Sequence, residues 1–206
     1  MKTQTEKSQA ELTPEKAIAI LKEGNRRFVQ NLKVNRNLLQ QVNETSTGQY
    51  PFAVVLSCID SRVPAEMIFD QGLGDIFSVR IAGNFVNEDI LGSMEFACKI
   101  AGSKLIVVLG HTSCGAVKGA CDQVKMGNLS GMLEKIKPAV DAVQIGGERN
   151  AQNAEFVQKV AEKNVELTLQ QISEKSEVLR EMLQENAIGV VGAMYDVNTG
   201  TVEFYA

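Results

Sequence analysis

The sequence predicts an α/β fold: a mostly parallel central sheet of four strands with an antiparallel edge strand, helices on both faces and an N-terminal helical arm. Three observations carry this. Continuous apolar runs at 52–57, 104–109 and 189–195 read as strands buried on both faces, the mark of parallel pairing. Segments of helical periodicity stand between them, as parallel crossovers require. After Tyr195 the turn-forming stretch Asp196-Val197-Asn198-Thr199-Gly200 leads into Thr201–Tyr205, a hairpin whose last strand should be an antiparallel edge.

The elements follow in order. Residues 1–12 are polar and read as frayed. Thr13-Pro14-Glu15 starts a helix: a cap residue, a proline in the first turn, then an acid near the positive helix end. From Pro14 to about Asn31 that helix places Ala17, Ile20, Leu21, Gly24 and Phe28 on one stripe, and a second helical stretch follows across Asn35–Val42. The arm therefore spans 1–45 and the α/β domain 46–206. Phe52–Ser57 is the first strand, bounded by Pro51. Ile76–Val79 is a second, short one. Asn87–Ile100 is helical, with Ile90, Met94, Ala97 and Cys98 on one side. Lys104–Leu109 is the third strand, and a helix begins near Cys114. Gly146–Asn150 is a loop, residues 151–185 are helical with a break near Ser173–Ser176, and Gly189–Tyr195 is the fourth strand.

Composition narrows the function classes. The chain has 206 residues, 44% of them apolar and 22% charged, which suits one globular domain without disulfide staples. A formal net charge of −4 implies no broad basic face, so neither nucleic acid nor an anionic membrane is expected as a partner. No apolar run approaches the roughly 18 residues of a membrane span. The N-terminal stretch has basic residues but no apolar core, so it does not read as a signal peptide. The expected compartment is the cytoplasm, with a removed leader left open. The four cysteines, Cys58, Cys98, Cys114 and Cys121, are then reduced thiols or metal ligands.

In open α/β sheets ligands bind at the carboxyl ends of the strands. The first strand runs into Cys58-Ile59-Asp60-Ser61-Arg62, and the third into Gly110-His111-Thr112-Ser113-Cys114-Gly115. Two cysteines and the only histidine thus share one sheet edge. Two thiolates and an imidazole suit zinc, and three protein ligands with an open position are the catalytic arrangement, whereas four would be structural. Each piece alone has an ordinary reading, since a cysteine after a strand usually packs as a small apolar residue. Asp60 and Arg62 could be a solvated ion pair, a carboxylate held ionised beside a metal, or the source of a fourth ligand. Other motifs fail. Gly110 and Gly115 have phosphate-loop spacing, but Ala116-Val117 follows instead of Lys-Ser/Thr. Gly72-x-Gly74 lacks a third glycine, no G-x-S-x-G surrounds Ser113, Cys58-x₃-Arg62 is two residues short of a phosphatase loop, and no C-x-x-C pair exists.

At these residues the chain resembles a beta-class carbonic anhydrase. The resemblance extends through Val63-Pro64-Ala65-Glu66, Arg80-Ile81-Ala82-Gly83-Asn84 and Gly192-Ala193-Met194-Tyr195-Asp196. It implies one zinc per chain on Cys58, His111 and Cys114, and a catalytic dyad of Asp60 and Arg62. It implies zinc-hydroxide-catalysed, reversible hydration of CO₂ to bicarbonate and a proton, with the metal lowering the pKa of its water toward ~7. It assigns Gln49, Phe77, Ala82, Phe96 and Gly115 to the substrate pocket, with Phe96 where some relatives carry a tyrosine. It also implies a homodimer or tetramer in which the helical arm packs on a partner chain, its apolar stripe having little else to cover. Arg80 and Tyr195 match two positions of a non-catalytic bicarbonate site found in one subgroup. The third position, a tryptophan there, is Val55, so that site should be missing and Asp60 should stay off the metal. With His111 spent on zinc, no imidazole remains to shuttle protons. Two other functions stay open: a zinc hydrolase of carbonyl sulfide or carbon disulfide on the same fold, and a non-catalytic zinc module closed by Cys98 or Cys121.

Overall fold

The computed structural model describes residues 3–205; Met1 and Lys2 of the N-terminal stretch, and Ala206 at the end of the α/β domain, lie outside the described residues. Helices α1 (Glu6–Ala10), α2 (Pro14–Val29) and α3 (Leu38–Thr45) precede strand β1 (Ala53–Ser57). Then come α4 (Ala65–Ile68), β2 (Ile76–Arg80), α5 (Glu88–Glu95), a π-helical turn over Phe96–Ile100, and β3 (Leu105–His111). Helices α6 (Gly115–Cys121), α7 (Gly127–Leu133), α8 (Lys137–Ala142), α9 (Ala154–Lys175) and α10 (Glu177–Gln184) lead to β4 (Gly189–Tyr195) and β5 (Val202–Phe204).

The strands form one sheet in the order β2-β1-β3-β4-β5, parallel except for the antiparallel β4–β5 pair. All of β1 and β3 is buried, as the apolar runs Ala53–Leu56 and Leu105–Leu109 require. Alternate residues feed two cores. Val54, Leu56, Ile106 and Val108 face the layer built from α5, α6 and α8–α10. Ala53, Val55, Leu105, Val107 and Leu109 face α2 and α4. The chain leaves β1 toward β2 and returns past it to β3. The carboxyl ends of β1 and β3 therefore flank the point where strand order reverses, the usual ligand crevice of such sheets.

The N-terminal region departs from its sequence reading. Residues 6–10 are not frayed but form α1, closed by a reciprocal Thr5–Ser8 capping box. Gln9 is buried, and its Nε2 donates to the Pro51 carbonyl at 2.7 Å and to the Ala101 carbonyl at 2.8 Å. Helix α2 starts where Thr13-Pro14 places it, and its buried stripe of Ala17, Leu21, Gly24 and Asn25 lies against the chain's own sheet layer. A stripe with little else to cover was the wrong premise. Gly24 lets this happen: a Cβ there would fall 1.8 Å from the Phe69 carbonyl oxygen. Asn25 Nδ2 donates to the Ile68 and Gly200 carbonyls, and its Oδ1 accepts from the Val202 N–H, stitching the arm to the β5 edge. Asp70, buried, takes Arg27 at 2.6 Å and Arg36 at 2.5 Å. Burial pushes its carboxyl up, but the two guanidiniums more than offset this and hold it below its ordinary value. Among the described residues no helix is long and apolar enough to cross a membrane.

Candidate active site

Cys58 follows the last residue of β1, His111 ends β3 and Cys114 is the N-cap of α6. Between His111 and Cys114 the chain turns through Ser113, whose φ of 56° lies in the left-handed region. That turn brings the second cysteine back under the strand end. The ligand atoms of Cys58, His111 and Cys114 lie within 4.8 Å of one another, and all three residues are buried.

The cluster fits a zinc ion. Among buried polar atoms, His111 Nε2 has no hydrogen-bond partner, which is costly unless something else takes its lone pair. Nδ1 lies 2.9 Å from the Thr112 carbonyl oxygen, so it carries the proton and leaves Nε2 as the bare donor atom. Thr112 is itself fixed. Its N–H donates to the Tyr195 carbonyl, its hydroxyl donates to Asp196 Oδ1 at 3.3 Å, and that hydroxyl accepts from the Val197 N–H at 3.0 Å. The two sulfurs are 4.0 Å apart, close to the ~3.8 Å edge of a tetrahedron with metal–sulfur bonds of ~2.3 Å.

The sulfurs are prepared for ionisation. The hydrogen bond between the two sulfurs, with the others made to the Cys58 sulfur, outweighs burial and lowers the Cys58 thiol to about 4. The Gly83 N–H adds a hydrogen bond at 3.4 Å. Cys114 is pushed up because its proton is held by Cys58 and because it is buried. A cation bound at both sulfurs would take the place of their protons.

Asp60 and Arg62 stand beside the cluster. Arg62 donates from its backbone N–H and Nε to Asp60 Oδ1, both at 2.9 Å, and from a terminal nitrogen to Oδ2 at 2.8 Å. This guanidinium holds the Asp60 carboxyl well below the usual carboxylate range. The carboxylate does not join the Cys58–His111–Cys114 group. Arg80, at the end of β2, supports the loop by donating to the Cys58 carbonyl at 3.0 Å and the Asp60 carbonyl at 2.7 Å.

A family model described as carbonic anhydrase matches residues 53–202, which include every residue of this cluster. The chain belongs to the beta-carbonic anhydrase family. It is 37% identical to carbonic anhydrase 2 of Mycobacterium tuberculosis over 195 residues, covering 91% of this chain and 90% of that protein. It is likewise 37% identical to the carbonic anhydrase of Mycolicibacterium smegmatis, with 92% of each covered. Among solved structures, the beta-carbonic anhydrase CafA of Aspergillus fumigatus aligns with a TM-score of 0.70 at 26% identity, covering 93% of this chain and 89% of that one. The Coccomyxa beta-carbonic anhydrase, solved with acetazolamide, shares the fold with a TM-score of 0.72 at 24% identity, covering 88% and 82%.

Beta-carbonic anhydrases use zinc, and the three-residue cluster is the place for it in this chain. The closed four-ligand alternative is not formed. Cys98 and Cys121 are absent from the cluster and lie in the apolar core, where burial raises their thiols to about 12 and about 11. Of the expected pocket residues, Gly115 follows Cys114 and Ala82 precedes Gly83, whose N–H reaches the Cys58 sulfur. Gln49 is exposed in the loop after α3, Gly115 is exposed at the start of α6, and Ala82 is half-buried after β2. Phe77 and Phe96 do meet, edge to face with centroids 6.2 Å apart. They line an open depression with Val79, Glu88 and Ser93 at the β2 edge, not with the ligand cluster. Arg80, Gly83 and Thr112 stand within the sequence motifs, but their hydrogen bonds to the ligand residues are visible only in the fold.

Proposed function

We propose that this chain is a zinc lyase that catalyses the reversible hydration of CO₂ to bicarbonate and a proton. One observation carries the reading within the family: three buried donors converge, while the neighbouring carboxylate is turned to Arg62 and leaves a fourth position free. Cys58, His111 and Cys114 would hold a zinc ion, whose chemistry there would be to lower the pKa of a bound water. Two thiolates neutralise the ion's charge and set that pKa higher than three imidazoles would. Asp60, kept ionised by Arg62, would accept a hydrogen bond from the attacking water at its free lone pairs and so orient it. Arg62 keeps the carboxylate from becoming a ligand. Val55 is fully buried within β1 where the other subgroup's bicarbonate site needs a tryptophan, which supports an Asp60 that stays off zinc. Gln49, Phe77, Ala82, Phe96 and Gly115 would form the pocket only once a second chain closes it.

Self-association is part of the proposal, as a homodimer or tetramer. Leu38, Leu39 and Val42 of α3 are exposed, as are Phe96 and Ile100 at the β2 side. Such apolar surface is normally covered in an assembly. The four unpaired thiols suit a reducing compartment, the cytoplasm.

Stopped-flow CO₂ hydration by zinc-loaded protein at pH ~8.5 tests the reading, run beside assays for sulfide release from carbonyl sulfide and carbon disulfide. Fast hydration that is lost in Asp60→Ala is expected. Sulfide release without CO₂ hydration would replace the reading with the sulfur-substrate hydrolase.

A further inference from the structure

We propose that Asn164 is a positioning residue for the metal centre, acting through Gly83 on the Cys58 sulfur. The inference rests on Cys58 being a zinc ligand. Asn164 occupies the core face of α9 among Val160, Ala161, Val165 and Thr168, and is 3% exposed. The periodicity of that face asks for an aliphatic side chain, and a buried amide is costly unless it is paired. Its Nδ2 donates to the Gly83 carbonyl at 2.8 Å, across 81 residues of sequence. The other polar group of Gly83, its N–H, donates to Cys58 Sγ at 3.4 Å. Asn164 therefore grips a residue whose N–H holds the sulfur.

The turn needs such a grip. Gly83 has φ 80° and Asn84 φ 39°, two successive residues in the left-handed region. A Cβ on Gly83 would fall 2.4 Å from Ile136 Cδ1, so the backbone is pressed against the helical layer with no room to shift toward it. With its carbonyl fixed to α9 and its Cα against Ile136, Gly83 presents its N–H to the sulfur in one direction. Outer partners of this kind orient a ligand atom and set how much charge it gives the metal.

The test is Asn164→Leu, close to isosteric, read by zinc affinity in chelator competition and by the sulfur-to-cobalt charge-transfer band of the cobalt-loaded protein. Zinc binding about 10–100-fold weaker and a displaced band are expected. Thr168→Val, one turn along and equally buried, should leave both unchanged. Wild-type affinity and an unmoved band in Asn164→Leu would overturn the proposal, and so would equal losses in both variants. If Asn164→Leu does not fold, the wild-type cadmium-113 protein decides. Scalar couplings are expected from Asn164 Nδ2 to the Gly83 carbonyl carbon and from the Gly83 amide proton to cadmium; absence of either overturns the inference. A wild-type chain that takes up no metal at Cys58 overturns it together with the functional reading, whereas the other outcomes leave that reading standing.

Discussion

Asp60 shows how one side chain is kept available. Its two oxygens accept three hydrogen bonds from Arg62, so the carboxylate is ionised and occupied on the side of the guanidinium. Because its folded pKa is depressed, the interaction is fully present above the unfolded value of ~3.9 and is lost only as pH falls through the lower folded value. Carbon-13 titration should therefore show Asp60 ionising well below ~3.9, and Arg62→Gln should move it up toward that value. An unchanged titration in the variant would show that Arg62 is not the cause. At His111, Thr112 fixes the carbonyl that takes the Nδ1 proton. Thr112→Val should weaken zinc binding by about 10-fold, and Thr112→Ser should restore it. Here the sequence was readable where residue type alone carries the chemistry: one histidine and two cysteines at two strand ends. It was silent on Thr112, Gly83 and Arg80, because their roles lie in backbone donors and acceptors that no side-chain pattern displays.

At the scale of elements, legibility followed length and packing. Strands β1 and β3 announce themselves, since only two-sided burial explains Ala53–Leu56 and Leu105–Leu109 being apolar throughout. Helices α4, α7 and α8 escaped notice. They have four, seven and six residues, too short to be stable alone, and exist because tertiary contacts hold them. Helix α1 escaped for the same reason, its anchor being Gln9 and not an apolar stripe. The contact of α2 with the turn after α4 is tight enough to predict from: Gly24→Ala should cost at least about 1–3 kcal/mol, read as a lower urea midpoint at unchanged m-value. Asp70 secures the same region. Its depressed carboxyl gives stability that is present above ~3.9 and lost on acidification through its folded value. Asp70→Asn should therefore destabilise the protein by about 3 kcal/mol at neutral pH and lose that difference in acid, as chemical denaturation across pH would show.

For the whole molecule, the sheet topology and the surface point in one direction. The ligand cluster sits at the switch point of a single chain, but the aromatic pair Phe77–Phe96 lines an open depression at the β2 edge. A partner chain would cover that edge and the exposed leucines of α3. Leu39→Glu, placed at a residue 72% exposed in the isolated chain, should shift sedimentation toward a smaller species and lower hydration activity with it. With His111 buried as a ligand and no other histidine in the chain, turnover should also rise with the concentration of an imidazole buffer; a rate flat across the series would require an internal shuttle.

The central claim is that Cys58, His111 and Cys114 hold zinc while Arg62 holds Asp60 away from it. A crystal structure of the zinc-loaded protein at pH ~7 tests this most directly. Three protein ligands on the ion, Asp60 still paired with Arg62, and the fourth position left to solvent are expected. An Asp60 carboxylate bound to zinc at that pH would contradict it.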